Sequence, residues 1–184
     1  YLTYPIGAHL NDRFAEGVLK TLIEVGPKAL SHPQDYDARS EFMWCATLAL
    51  NGLVGSGVPH DWATHMIGHE LTAMYGLDHA QTLAIVLPSV IAYKKEQKRE
   101  KLLQYAVRIW NLTSGDENTR IEQAIHKTRQ FFESMGVKTA LSGYGIEPNI
   151  PALIEQLKAH GRTALGEHQN ITLIDSEKIL ERCR

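Results

Sequence analysis

The tripeptide Gly76-Leu77-Asp78 separates two apolar helical patterns, and what it joins constrains the fold more than any other stretch. Upstream lies Thr64-His65-Met66-Ile67-Gly68-His69-Glu70-Leu71, and downstream a run beginning at His79. Gly76 reads as a helix stop, because glycine takes the left-handed conformation a helix C-terminus calls for, and Asp78 reads as the cap of the next helix. His65 and His69 are four apart and so share one helix face. A turn of this kind can fold His79 back toward that face, which would bring together three of the chain's nine histidines. Imidazole is the commonest metal ligand and a physiological-pH acid or base. A metal or proton-transfer site is the first expectation.

The rest of the chain reads as helix. From Asn11 to about Val25, apolar residues at Phe14, Ala15, Val18, Leu19, Leu22 and Ile23 follow helical spacing, with Asn11 as cap and Gly26-Pro27 as stop. Asp35 or Asp37 opens a helix through Phe42 to Leu50 that is apolar nearly all round and is expected to be centrally buried. Asp61 is a candidate cap for the histidine-bearing helix, and Pro88 predicts a kink or break in the one that begins at His79. Lys94 to Lys101 is strongly basic, but Glu96 and Glu100 lie at helix-pair spacings and no aromatic residues interleave, so a solvated helix face is expected. Further helices are predicted over Lys98 to Trp110, Asp116 to Met135, and Ile150 to about His160. Thr172-Leu173-Ile174-Asp175 predicts a capping box for the last helix. His126 and His160 fall on polar faces, and His32 and His168 in loops. Seven or eight helices and no convincing strand describe an irregular all-α domain.

Length and composition narrow the function. At 184 residues the chain suits one core. A formal charge of −2 gives no global attraction to nucleic acid, and no apolar run approaches the length of a membrane span. No signal peptide is legible at the start. Cys45 and Cys183 suggest free thiols rather than a disulfide framework, which suits a reducing cytoplasm. The first ten residues carry no helix-start or strand-start logic, so the chain reads as a piece of something longer.

The bare spacing His-x3-His is weak evidence by itself. The zinc-protease pattern His-Glu-x-x-His does not fit, since Glu70 follows the second histidine instead of the first. A catalytic metal site needs three or four protein ligands. The cluster supplies at most three histidines, Glu70 sits off their face, and Asp78 is spent on capping. Either one histidine is not a ligand or ligands come from elsewhere.

The block from Asp61 through Leu83, with Leu87-Pro88 after it, closely resembles the iron-containing (group III) alcohol dehydrogenases. Within them it is similar to the NADPH-dependent aldehyde reductase and butanol dehydrogenase branch. Asp12-Arg13-Phe14-Ala15-Glu16-Gly17, Leu102-Leu103-Gln104-Tyr105-Ala106 and Ile171-Thr172-Leu173 extend the likeness along the chain. The resemblance implies that residues 1–184 form the C-terminal all-helical domain (dehydroquinate synthase-like), which carries metal and substrate, with an N-terminal dinucleotide-binding domain elsewhere. It implies His65 and His79 as two ligands of a divalent metal, Zn2+ or Fe2+, the other two being an Asp and a His of an Asp-x3-His helix just upstream of Tyr1. His69 would lie near the nicotinamide of NADP(H), as a catalytic and cofactor-contacting residue and not a ligand. The implied protein is a homodimeric cytoplasmic enzyme interconverting aldehydes and alcohols, with no nucleic-acid or membrane partner. A non-catalytic helical metal-binding or scaffold module is the alternative.

Overall fold

Helix α1, His9–Ser31, is longer than its apolar spacing suggests at both ends. Ala8, not Asn11, stands at the N-cap, while the Asn11 side chain donates to Ser56 O at 2.9 Å. At the other end α1 runs on through Pro27. Proline deletes one hydrogen-bond donor there, but one absent bond in the last turns does not end a helix. The computed structural model describes all residues, 1–184. It comprises eight α-helices: α1, α2 Tyr36–Leu50, α3 Ala63–Tyr75, α4 His79–Tyr93, α5 Arg99–Arg108, α6 Glu117–Ser134, α7 Ile150–Ala159 and α8 Leu173–Glu181. A 3-10 turn covers Leu141–Tyr144. No helix is long and apolar enough to cross a membrane.

These elements form two compact units. Residues 1–59 and 98–127 make the first. In it α2 packs on α1, with Asp35 at its N-cap accepting the Ala38 N–H at 3.1 Å. The central burial expected for α2 does not occur: Ala38 and Cys45 are covered, whereas Trp44 is 59% and Leu50 84% exposed. Apolar composition on all sides states only that a helix could be covered. How many neighbours it has is decided by tertiary structure, and within this unit α1 covers one face.

The basic run also departs from expectation, because Lys98 and Lys101 are buried. Lys98 Nζ donates to Leu2 O at 3.1 Å, and Lys101 pairs with the fully buried Asp12 while lying 4.1 Å from the ring centroid of Tyr4. Glu16, one turn after Asp12, accepts from Arg108 at 2.9 Å and from the Tyr1 hydroxyl at 2.8 Å. The i, i+4 pair of carboxylates on α1 thus meets a lysine and an arginine on α5. Burying a carboxylate costs several kcal/mol unless a cation and hydrogen bonds compensate; each acid here has both, although Asp12 Oδ2 takes no hydrogen bond and has only Arg108 at 3.7 Å.

Residues 60–97 and 128–184 make the second unit. Its core joins Ile67 and Leu71 of α3, Ile85 and Val86 of α4, Leu153 and Leu157 of α7, and Ile179 and Leu180 of α8. Helix α4 stays continuous through Pro88 to Tyr93. The capping box at Thr172 and Asp175 forms as the sequence suggests. Two short strands, Ala164–Leu165 and Ile171–Thr172, pair antiparallel beside it, which the sequence reading did not anticipate. Two residues per strand leave no alternation to detect.

Candidate metal centre

The second unit places the three histidines on adjoining helices. Helix α3 turns Ala63, Ile67, Glu70 and Leu71 into the core, which leaves His65 and His69 on the opposite side. Asp61 caps α3 in effect, its Oδ1 accepting the Ala63 N–H at 2.7 Å, although Trp62 holds the N-cap position. Gly76 ends α3 in the left-handed conformation, φ 68° and ψ 18°, and its N–H bonds Thr72 O. Asp78 then starts α4, with Gln81 Oε1 accepting the Asp78 N–H at 2.9 Å as the return half of a capping box. His79 is the first residue of α4 and sits over the His65/His69 face.

The ring centroid of His79 lies 5.1 Å from that of His65 and 5.1 Å from that of His69. One nitrogen from each of the three rings lies within 4.8 Å of the others. The tightest pairing is His65 Nδ1 to His79 Nε2, at 3.2 Å. Two nitrogens bonded to one divalent ion at about 2.0–2.1 Å stand roughly 2.8–3.4 Å apart, from octahedral to tetrahedral geometry. The pair therefore fits an ion between or beside its nitrogens, and without one a single shared proton makes the same contact an N–H···N bond. Burial, then the neighbouring His79 and His69 charges, pushes the His65 imidazole below its usual range. Burial, His79 and the Arg162 charge do the same for His69, against a smaller opposing effect of Glu70. Both shifts favour the neutral ring, the form that ligates metal.

Glu70, the carboxylate that follows His69 in sequence, is engaged away from the cluster. Glu70 is 2% exposed and accepts from Arg162 at 2.7 Å and from His160 Nδ1 at 2.8 Å. Arg162 also donates to Met66 O at 3.2 Å, so the end of α7 is tied to the turn of α3 that separates the two histidines. His160 is exposed as expected, but it is a partner of a buried acid and not merely a solvated side chain. His126, His32 and His168 are exposed and take no part in the cluster.

Gly68, between the two histidines of α3, went unremarked in the sequence. A Cβ there would stand 3.1 Å from Thr82 Oγ1 and 3.5 Å from Thr82 Cβ. Thr82 is fully buried, one turn into α4, and its hydroxyl donates to His79 O at 2.9 Å. The missing side chain lets α3 and α4 approach closely, and that approach brings His79 within reach of His65. A glycine inside an otherwise strong helical pattern was the available signal.

Comparison with known proteins gives the site its context. NADPH-dependent aldehyde reductase YqhD of Escherichia coli K12 is 60% identical over all of this chain, which covers 48% of that protein. NADH-dependent butanol dehydrogenase A of Clostridium acetobutylicum is 33% identical over 95% of the chain, 45% of its own length. The solved substrate- and cofactor-free form of the E. coli aldehyde reductase superimposes on the whole chain with a TM-score of 0.98 at 59% identity, and the chain covers 49% of it. This chain thus spans about half the length of the curated relatives it matches. Residues 4–183 match the C-terminal region of the Fe-containing alcohol dehydrogenase family, and the chain belongs to that family.

Proposed function

We propose that residues 1–184 are the helical, metal-holding half of an NADP(H)-dependent oxidoreductase that interconverts aldehydes and primary alcohols beside a dinucleotide-binding half. The observation that carries this reading is the 3.2 Å approach of His65 Nδ1 to His79 Nε2, the spacing of two ligands on one ion. The relatives, an aldehyde reductase and butanol dehydrogenases, agree on carbonyl and alcohol chemistry. They divide between NADPH and NADH, and the relative that is 60% identical uses NADPH. When bound, a divalent ion (Zn2+ or Fe2+) would polarise the carbonyl oxygen and the nicotinamide would supply hydride.

The protein's own residues hold and orient. His65 and His79 supply two ligands, completed by an Asp and a His of the other half. Gly68, Thr82 and the Asp78 cap keep these two rings at ligand spacing. His69 is exposed, faces the same space and lies beside His79, which suits it to contact the nicotinamide and to pass the proton that completes the alcohol.

Metal analysis of the full-length enzyme together with an NADPH and aldehyde assay tests this. The expected result is about one divalent ion per chain and aldehyde-dependent NADPH oxidation. His65→Ala and His79→Ala should lose most of the metal, while His69→Gln should retain it and lose about 10²-fold in rate, with an altered pH profile. Full metal content in both alanine variants would overturn the ligand assignment, and an unchanged rate and profile in His69→Gln would overturn the relay.

A further inference from the structure

Resting on that reading, we infer that Trp62 is the apolar wall against which the carbon chain of an aldehyde substrate packs, and so sets preference for substrate length. Its indole meets the imidazole of His65 edge to face, with centroids 5.1 Å apart and planes at 60°. His60 also neighbours it, at 6.3 Å between centroids. The backbone beneath it is fixed, because Trp62 O accepts the Met66 N–H at 2.9 Å and the Asp61 carboxylate holds the next residue.

Trp62 is nevertheless 50% exposed. A single exposed aromatic is ordinary on a protein surface. Contact with a ring of the imidazole trio is what separates Trp62 from exposed Trp44 or Leu50. A carbonyl oxygen held at His65 and His79 places the rest of its molecule within a few ångströms of those rings, and Trp62 is the large apolar surface touching one of them. The opposite side of α3 offers none, since Ile67 and Leu71 point into the core. The indole also presents no charge, so the wall favours an aliphatic chain over an acidic one.

The test uses the full-length enzyme with ethanal, butanal and hexanal. Burial of a methylene on a half-open wall should raise kcat/KM of the unaltered enzyme about 2- to 4-fold per carbon. Trp62→Ala should flatten that slope, with a loss for hexanal roughly 10-fold greater than for ethanal, and Trp62→Phe should restore part of it. A second readout needs no turnover: by calorimetry, Trp62→Ala should weaken hexanamide binding far more than acetamide binding, with metal content unchanged. An unaltered slope would mean that protein covers the indole in the assembled enzyme, and a uniform loss with reduced metal would mean that Trp62 serves only to orient His65. Either overturns the inference. An unaltered full-length enzyme that reduces no aldehyde would refute the functional reading instead, and the amide affinities would still decide on the wall.

Discussion

At the scale of single residues, the separation between α3 and α4 depends on an atom that is not there. Gly68 faces Thr82 with room for a hydrogen and nothing more. Replacing it with Val puts three carbons into a contact already at 3.1 Å for the first. Overpacking of this kind costs about 1–3 kcal/mol, and relief comes by moving α4 outward, which carries His79 with it. Gly68→Val should therefore lower thermal stability and also weaken metal binding by the full-length enzyme. A variant that loses stability while keeping the metal affinity of the parent would show that His79 is positioned by its cap and not by the helix crossing.

At the scale of elements, α1 and α5 are held by charge as much as by apolar contact. Burial alone would push the Asp12 carboxyl up, but the Lys101 ammonium, by hydrogen bond and by charge, outweighs it and holds Asp12 below its usual range. Glu16 is lowered against burial in the same way, by Arg108, Tyr1 and Arg13. A carboxylate whose pKa falls on folding adds stability that is complete above the unfolded value, near 4, and lost as pH drops through the folded value. Stability should accordingly hold from neutral pH to about 5 and fall steeply below about 4. Lys101→Met strands a buried carboxylate and should cost about 3–5 kcal/mol at pH 7, with a flatter acid limb, because Asp12 is then no longer lowered. Adding Asp12→Leu should recover much of that loss. Urea unfolding across pH 2–7 would check both, and equal stability of Lys101→Met at pH 7 would refute the account. None of this was legible beforehand: Asp12, Glu16 and Lys101 look like solvated charges until α1 and α5 are known to meet. The caps at Asp35, Asp78 and Thr172 were legible, because a cap needs only residues within one turn of it.

At the scale of the whole molecule, the same distinction separates what the sequence reveals of the site from what it hides. The turn at Gly76 and the i, i+4 spacing place His65, His69 and His79 together from local rules alone. Burial of Glu70 against Arg162 and His160 depends on α7, some ninety positions away, and no pattern within α3 announces it. What the trio lacks is a carboxylate: Glu70 is committed to Arg162, and the three histidines gather with no acid among them. Two imidazoles with an exposed third fall short of the three or four protein ligands that hold a catalytic divalent ion firmly. The 184-residue chain by itself should thus bind Zn2+ weakly, through His65 and His79, and oxidise no NADPH with aldehyde present. Calorimetry should find a dissociation constant in roughly the micromolar range or weaker, lost in His65→Ala, and joining the chain to a dinucleotide-binding half with an Asp-x3-His helix should tighten it by orders of magnitude. Tight one-to-one zinc binding by the chain alone would mean that His69 is a third ligand, which would remove it from the proton relay and make the centre complete without a second half.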